Sequence, residues 1–449
     1  MTFPIQRFVE IVQSSNRVSS FLKGDQNSLV TFKRLPNLDQ AIRGLLYLFV
    51  FSLPFSGLLL ISRNGFIVLV AFLMIWCVVK RGHFFRRTPI DVPLAVLVLW
   101  VGITVPFSPL PAYSSGEFAK LLQQCVIFYG VVYFFQAPRP RQWMNMLLLG
   151  QLVLMSVYGL WQFDLSPTRS YPFIQSFCGS EVALTTYLLM NLPLAIAIGV
   201  YSRQLLLRRV GVGASLLAVL CQMLTFSRGG LIALFVEGIA LAGMVRSRLM
   251  VMTVVVLLTI SIALAGALFV IGSQNDLSFI PVKTKLTTYN LVSRFKAWQL
   301  GYEKILEHPL MGSGYGKNTF GLVTQANIRQ EVDVATEAPM ARGTHNTLLD
   351  ISVGAGIPAG LAYLWLMWTI GRTGFVQFYA AQDPQRKVWS LTLVLMVVGL
   401  FVRNSFDHMW VGNLAAMFWV MVGLGIWPLR SEVTAEGVEG AASHQLCAR

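Results

Sequence analysis

The interval 271–346, IGSQNDLSFIPVKTKLTTYNLVSRFKAWQLGYEKILEHPLMGSGYGKNTFGLVTQANIRQEVDVATEAPMARGTHN, is the long polar stretch of an otherwise apolar chain. The runs on either side of it are close to the roughly 20 residues that a helix needs to cross the hydrocarbon core. A polar connection of this size between such runs is uncommon, and loops of that kind are either functional or disordered. This one carries aromatic residues at helical spacing and capping signals, so it reads as folded and functional.

Composition fixes the class. Of 449 residues, 55% are hydrophobic and only 12% charged, with a mean hydropathy of +0.63; a soluble domain carries about 25% charged residues. The alternation of barrel strands is absent, which leaves helices to satisfy the backbone in lipid. The expectation is an all-α polytopic membrane protein. A net charge of +15 would suit nucleic acid, but the lysines and arginines sit mostly in short loops between apolar runs, where they set topology. Nucleic acid is therefore not an expected partner. Cys77, Cys125, Cys178, Cys221 and Cys447 show no ligand or redox spacing and read as packing residues. Residues 1–40 are too polar for a cleavable leader. Phe3, Phe8, Ile11 and Val12 against Arg7 and Glu10 suggest a short helix lying on the membrane surface.

Twelve transmembrane helices are expected, near 42–62, 64–80, 91–108, 116–136, 142–162, 180–201, 207–225, 228–245, 249–272, 346–371, 387–405 and 411–428. Pro54, Pro93 and Pro193 mark irregularities within them. With the N-terminus inside, the inside connections hold basic clusters such as Lys80, Arg81, Arg86 and Arg87, or Arg203, Arg208 and Arg209. The short outside connections and nearby helix ends hold Arg63, Lys120, Arg169, Arg228 and Arg403. This asymmetry places both termini in the cytoplasm and the long loop outside. The chain divides into a cytoplasmic segment 1–41, spans over 42–272, an outer loop domain 273–345, spans over 346–428 and a cytoplasmic tail 429–449.

Basic residues on the outside run against topology, so packing or function must keep them. Arg228 opens a span in Ser227-Arg228-Gly229-Gly230. Free N–H groups, the positive dipole end, glycines and a cation make an anion site there; a snorkelling arginine that anchors the helix end is the alternative. In the loop, Asn290 caps a helix that Pro309 stops after His308. Leu291, Phe295, Trp298, Tyr302 and Ile305 form its apolar stripe, and Arg294 shares a face with Trp298. That tryptophan is either core or a ligand platform. Gly312-Ser313-Gly314-Tyr315-Gly316 lacks a preceding strand and reads as a turn. Glu331-Val332-Asp333 reads as solvated surface rather than a metal motif.

His345 lies between Thr344 and Asn346 at the outward start of a span, just after Arg342. An imidazole there can take the proton of an incoming hydroxyl; a structural histidine is the alternative. Asp350, five residues on, is in poor helical register to orient it. His308, His408 and His444 compete less well. Arg403 ends a span and is expected to join Arg228 and Arg294 in an anion cluster.

Three pieces, in this order and topology, resemble the O-antigen ligase and polymerase superfamily of bacterial envelope glycosyltransferases: Ser227-Arg228-Gly229, the run from Arg294 and Trp298 through His308-Pro309-Leu310 and Gly312-Ser313-Gly314 to Phe320, and His345-Asn346. The resemblance covers roughly 210–370. It implies a twelve-helix enzyme of the GT-C type in the bacterial inner membrane, with a large periplasmic loop and an active site facing the periplasm. It also implies an undecaprenyl-pyrophosphate-linked glycan donor, no metal and no cofactor. Within the superfamily the ligase transfers glycan to lipid A–core, and relatives polymerise repeats or glycosylate proteins. The short tail 429–449 favours the ligase, since protein-glycosylating relatives usually carry a longer C-terminal region. The roles implied are His345 as general base, Arg228, Arg294, Arg342 and Arg403 on the pyrophosphate, and Trp298, Ser227 and Asn346 in support. A transporter is the rival from another class, but charged residues are nearly absent from span centres, against the pattern of ion-coupled transport.

Overall fold

A computed structural model describes residues 38–163, 174–225, 227–245, 294–317, 319–321, 343–408, 410 and 412–427. The surface helix expected near the N-terminus, the span 249–272, Asn290, Leu291, Arg342 and the segment 331–333 lie outside the described residues, as do Cys447 and His444. Every described element is helical, and no strand occurs among them. In chain order they are α1 (Leu38–Ser52), α2 (Leu59–Lys80), α3 (Asp91–Thr104), α4 (Pro111–Phe134), α5 (Pro138–Trp161), α6 (Glu181–Tyr201), α7 (Leu205–Leu224) and α8 (Arg228–Val245). They continue with α9 (294–307), α10 (Thr347–Ala380), α11 (Pro384–Asn404) and α12 (Gly412–Gly425). Among the described residues, seven helical segments are long and apolar enough to cross a membrane. The protein is a multi-pass membrane protein, and each expected span except 249–272 overlaps a described helix.

Helix α11 holds the bundle together, packing on α10, α6, α8 and α12. α6 is buried almost continuously from Leu184 to Ala195, the signature of an apolar helix enclosed by others. α2, in contrast, exposes Leu60, Ile67, Met74 and Val78, which suits a face against lipid.

Two details correct the expected spans. The first boundary falls at Pro54 and not at Arg63: α1 stops at Ser52, and the helix resumes through Ser56–Leu58 into α2. Proline removes a donor and clashes with the preceding turn. The carbonyls this frees at Val50 and Phe51 accept from Gln151 Nε2 at 3.1 and 2.9 Å, and that of Leu53 from Asn413 Nδ2 at 3.0 Å. Pro93, which falls in the first turn of α3 where a proline costs little, breaks nothing.

The expected span 346–371 is broken at Ala355 and Gly356, the latter at φ 81°, and then runs on to Ala380. The glycine turn after α9 fills the break. Ser313 N donates to Val353 O at 2.7 Å, Gly314 N to Gly354 O at 2.9 Å and Ile357 N to Pro309 O at 2.8 Å. Trp100 Nε1 donates to Ala355 O at 3.0 Å. A Cβ at Gly356 would meet Leu310 O at 1.9 Å, so only glycine fits. The Gly312–Gly316 segment is thus a turn, as its sequence suggests, and it satisfies the carbonyls that the kink leaves open.

Candidate active site

The site forms where α9, the start of α10, the end of α11 and the start of α8 meet. α9 docks through small residues. Ala297 is 3% exposed, and a Cβ at Gly301 would lie 2.9 Å from Thr344 Cγ2. One turn further, Ile305 packs with Phe320 and Val353. The stripe expected from the aromatics is therefore wrong for most of its length: Phe295 and Tyr302 are 62% and 60% exposed, and Trp298 is half-buried against Phe295. Small residues face the bundle because they let the backbones approach. Arg294 lies two turns before Gly301 on the docked face, and this carries its guanidinium to the end of α11.

Asp407 is the centre of the site. Its Oδ2 accepts from Arg403 Nη1 at 2.9 Å and lies 3.6 Å from Arg294 Nη2. Its Oδ1 lies 2.9 Å from His345 Nδ1. Burial opposes its charge, but the His345 hydrogen bond and the charges of Arg403 and Arg294 outweigh burial and hold the carboxyl below its ordinary range. An ionised carboxylate only accepts, so Nδ1 carries the proton in this contact, which leaves Nε2 as the nitrogen that can take a proton.

His345 is held in an unusual backbone shape, at φ 55° in the left-handed region where histidine is one of the tolerated residues. Its neighbours account for the shape. Thr344 N and Oγ1 both donate to Asp350 Oδ1, at 2.9 and 2.8 Å, and Asn346 caps α10 by accepting from Leu349 N at 3.2 Å. The side chain of His345 remains 39% exposed. Asp350 does not touch it. Its other oxygen pairs with His408 Nδ1 at 2.7 Å, so the two acid–histidine pairs cross between α10 and the turn after α11.

The arginines differ in access. The side chain of Arg294 is 28% exposed, whereas Arg403 is 1% exposed, with Nε and Nη2 buried and unpartnered among the described residues. Arg228 is exposed at the first residue of α8. The neighbouring Gly229 packs on the same cluster, since a Cβ there would come within 3.2 Å of Arg403 Nη1 and 3.1 Å of Phe406. Ser227 N donates to Thr225 Oγ1 at 3.3 Å, and Ser227 O accepts the first helical bond, from Leu231 N at 2.8 Å. The indole nitrogen of Trp298 is buried without a partner. Arg294, Arg403 and His345 are thus brought together on Asp407, the residue next to Arg228 packs against Arg403, and Arg342 lies outside the described residues.

Asp407 and Asp350 escaped the reading of the sequence. Asp407 lies 62 residues from its histidine, and its one local signal is the Arg403–Asp407 spacing of four at a helix end.

Comparison with known proteins agrees with this region. Residues 213–364 match the family model described as O-antigen ligase, which places that stretch in the O-antigen ligase and polymerase superfamily. The match runs from within α7 to the middle of α10 and includes Arg228, Arg294 and His345. No protein of curated function matches the chain.

Proposed function

We propose that this protein is an inverting glycosyltransferase of the GT-C type that acts as an O-antigen ligase, moving a glycan from undecaprenyl pyrophosphate to a hydroxyl of lipid A–core at the periplasmic face. The observation that supports it best is the shared carboxylate: Asp407 holds the imidazole of His345 and the guanidinium groups of Arg294 and Arg403 at one point. That point joins a base for the acceptor to a cation, Arg294, for the donor.

In the proposed step the acceptor hydroxyl approaches the anomeric carbon from the face opposite the pyrophosphate. The new C–O bond forms as the old one breaks, the hydroxyl proton passes to His345 Nε2, and the electron pair leaves with the polyprenyl pyrophosphate. The imidazolium so formed is stabilised by Asp407, the role an acid plays behind a catalytic histidine elsewhere. General-base assistance of this kind contributes about 10²–10⁴-fold. Arg294 and Arg228 have the exposure to meet the pyrophosphate, and fixed guanidinium groups stabilise the charge developing there without reorganisation and without a divalent metal. Arg403 is too deep for that role and serves by positioning Asp407. Arg342, three residues before His345, remains a further candidate for the pyrophosphate.

The test reconstitutes purified protein with lipid-linked glycan and lipid A–core in the presence of a chelator. The reading expects glycan on the lipid A–core. Lengthening of the donor glycan without lipid A–core would mean a polymerase, transfer to protein would mean a protein glycosyltransferase, and movement of donor across the bilayer without transfer would mean a transporter.

A further inference from the structure

The other end of α11 carries a second cationic cluster, which the transfer reaction does not use. Arg141, in the first turn of α5, is 1% exposed; its Nε donates to Phe135 O at 3.1 Å, and its Nη1 is buried with no partner among the described residues. Its guanidinium carbon lies 3.8 Å from the ring centroid of Trp427, just beyond α12. Arg386, in the first turn of α11, lies 4.5 Å from the same ring. The indole Nε1 of Trp427 is buried and unpartnered as well. Two cations therefore share one indole. The nearby carboxylate, Asp383, is engaged as the cap of α11, accepting from Arg386 N at 3.0 Å, and neither arginine forms a salt bridge among the described residues.

An aromatic face attracts a cation but does not cancel its charge. A buried N–H of a guanidinium without an acceptor is costly. α5 and α11 both begin here, so the positive ends of two helix dipoles add to the two side chains. Among the described residues the cluster is rich in donors and short of acceptors.

We propose that Arg141, Arg386 and Trp427 form a binding site for the phosphate of an anionic phospholipid, at the membrane face opposite His345. The placement argues for a lipid as the source of the phosphate. From Arg386 to Arg403 α11 rises about 26 Å at 1.5 Å per residue, close to the ~30 Å of the hydrocarbon core. The cluster therefore stands at headgroup level when the Asp407 cluster stands at the other surface. Tryptophan and arginine are residues of that interface, and basic pockets between helices on the cytoplasmic side take anionic headgroups. Phosphate oxygens accept from the exposed Arg386 fork in charge-assisted bonds, Arg141, buried against the same indole, adds fixed positive charge beside them, and the bound lipid ties the ends of α5, α11 and α12 together. The inference rests on the membrane placement of the helices and is independent of which glycan is transferred.

The full-length protein, purified in detergent, is titrated with phosphatidylglycerol, phosphatidylcholine or inorganic phosphate, and bound lipid is counted by native mass spectrometry. Phosphatidylglycerol is expected to be retained over phosphatidylcholine. Arg386→Gln, at an exposed position, is expected to weaken that retention about fivefold, the factor one basic residue is worth at an anionic surface, and Arg141→Lys to weaken it less because it keeps the charge. Equal retention of the two lipids, or unchanged retention in Arg386→Gln, overturns the site. Competition by inorganic phosphate at the same concentration overturns its assignment to a lipid. Loss of glycan transfer with lipid retention intact bears on the proposed reaction alone.

Discussion

Two acid–histidine pairs lie side by side at one end of the bundle, made of the same groups and joined by nearly equal bonds. His345–Asp407 is 2.9 Å long and His408–Asp350 is 2.7 Å. Their surroundings separate them. The His345 side chain is 39% exposed, and its carboxylate also holds two arginines. The His408 side chain is 15% exposed, and its carboxylate is committed to Thr344. One pair offers a ring nitrogen beside a supply of positive charge; the other fixes the backbone from which that ring projects. Residue type alone does not distinguish a base from a brace. Access and the other occupants of the carboxylate do.

Replacing the partners should move the two pairs apart. Asp407→Asn is expected to have the largest effect: the amide no longer fixes the Nδ1–H tautomer, so transfer in single turnover falls by about 10²–10⁴ with donor binding largely kept. A loss below tenfold would reduce Asp407 to a packing residue. Next comes Arg294→Ala, which removes a charge-assisted contact worth about 1.5–3 kcal/mol and should weaken donor binding accordingly in a lipid-linked glycan titration. Asp350→Asn orphans partners that are buried, so a stability loss of about 1–3 kcal/mol in denaturant is expected, with a smaller effect on rate than Asp407→Asn. If Asp350→Asn instead costs rate without stability, the brace is misidentified.

The smallest expected effect is on acid stability. The Asp407 carboxyl is held below its ordinary range in the folded protein, so the unfolded chain binds the proton first as pH falls. The stabilisation is present in full above the ordinary carboxylate range and is lost as pH falls through the folded value. A melting series in detergent should show this loss in the native protein and a shallower acid limb in Asp407→Asn.

Much of this arrangement is legible in the sequence, and the rest has identifiable physical reasons for escaping it. Apolar run length locates the described helices because lipid leaves the backbone few options. His345, Arg228 and Arg294 stand out as polar residues where topology disfavours them. Asp407 does not, because its meaning depends on a helix end from a different part of the chain. The docking face of α9 was hidden by its aromatics: burial follows Ala297 and Gly301, whose small size matters only once Thr344 lies opposite. Likewise, Gly356 looks like one glycine among many until Leu310 O occupies the space of its missing side chain.

The most direct test of the account compares His345→Ala with His408→Ala in single-turnover transfer, with donor binding measured on the same preparations. The account predicts that His345→Ala binds donor but transfers slower by about 10²–10⁴, while His408→Ala stays within a few-fold of the native rate once differences in stability are allowed for. Near-native transfer by His345→Ala would contradict it.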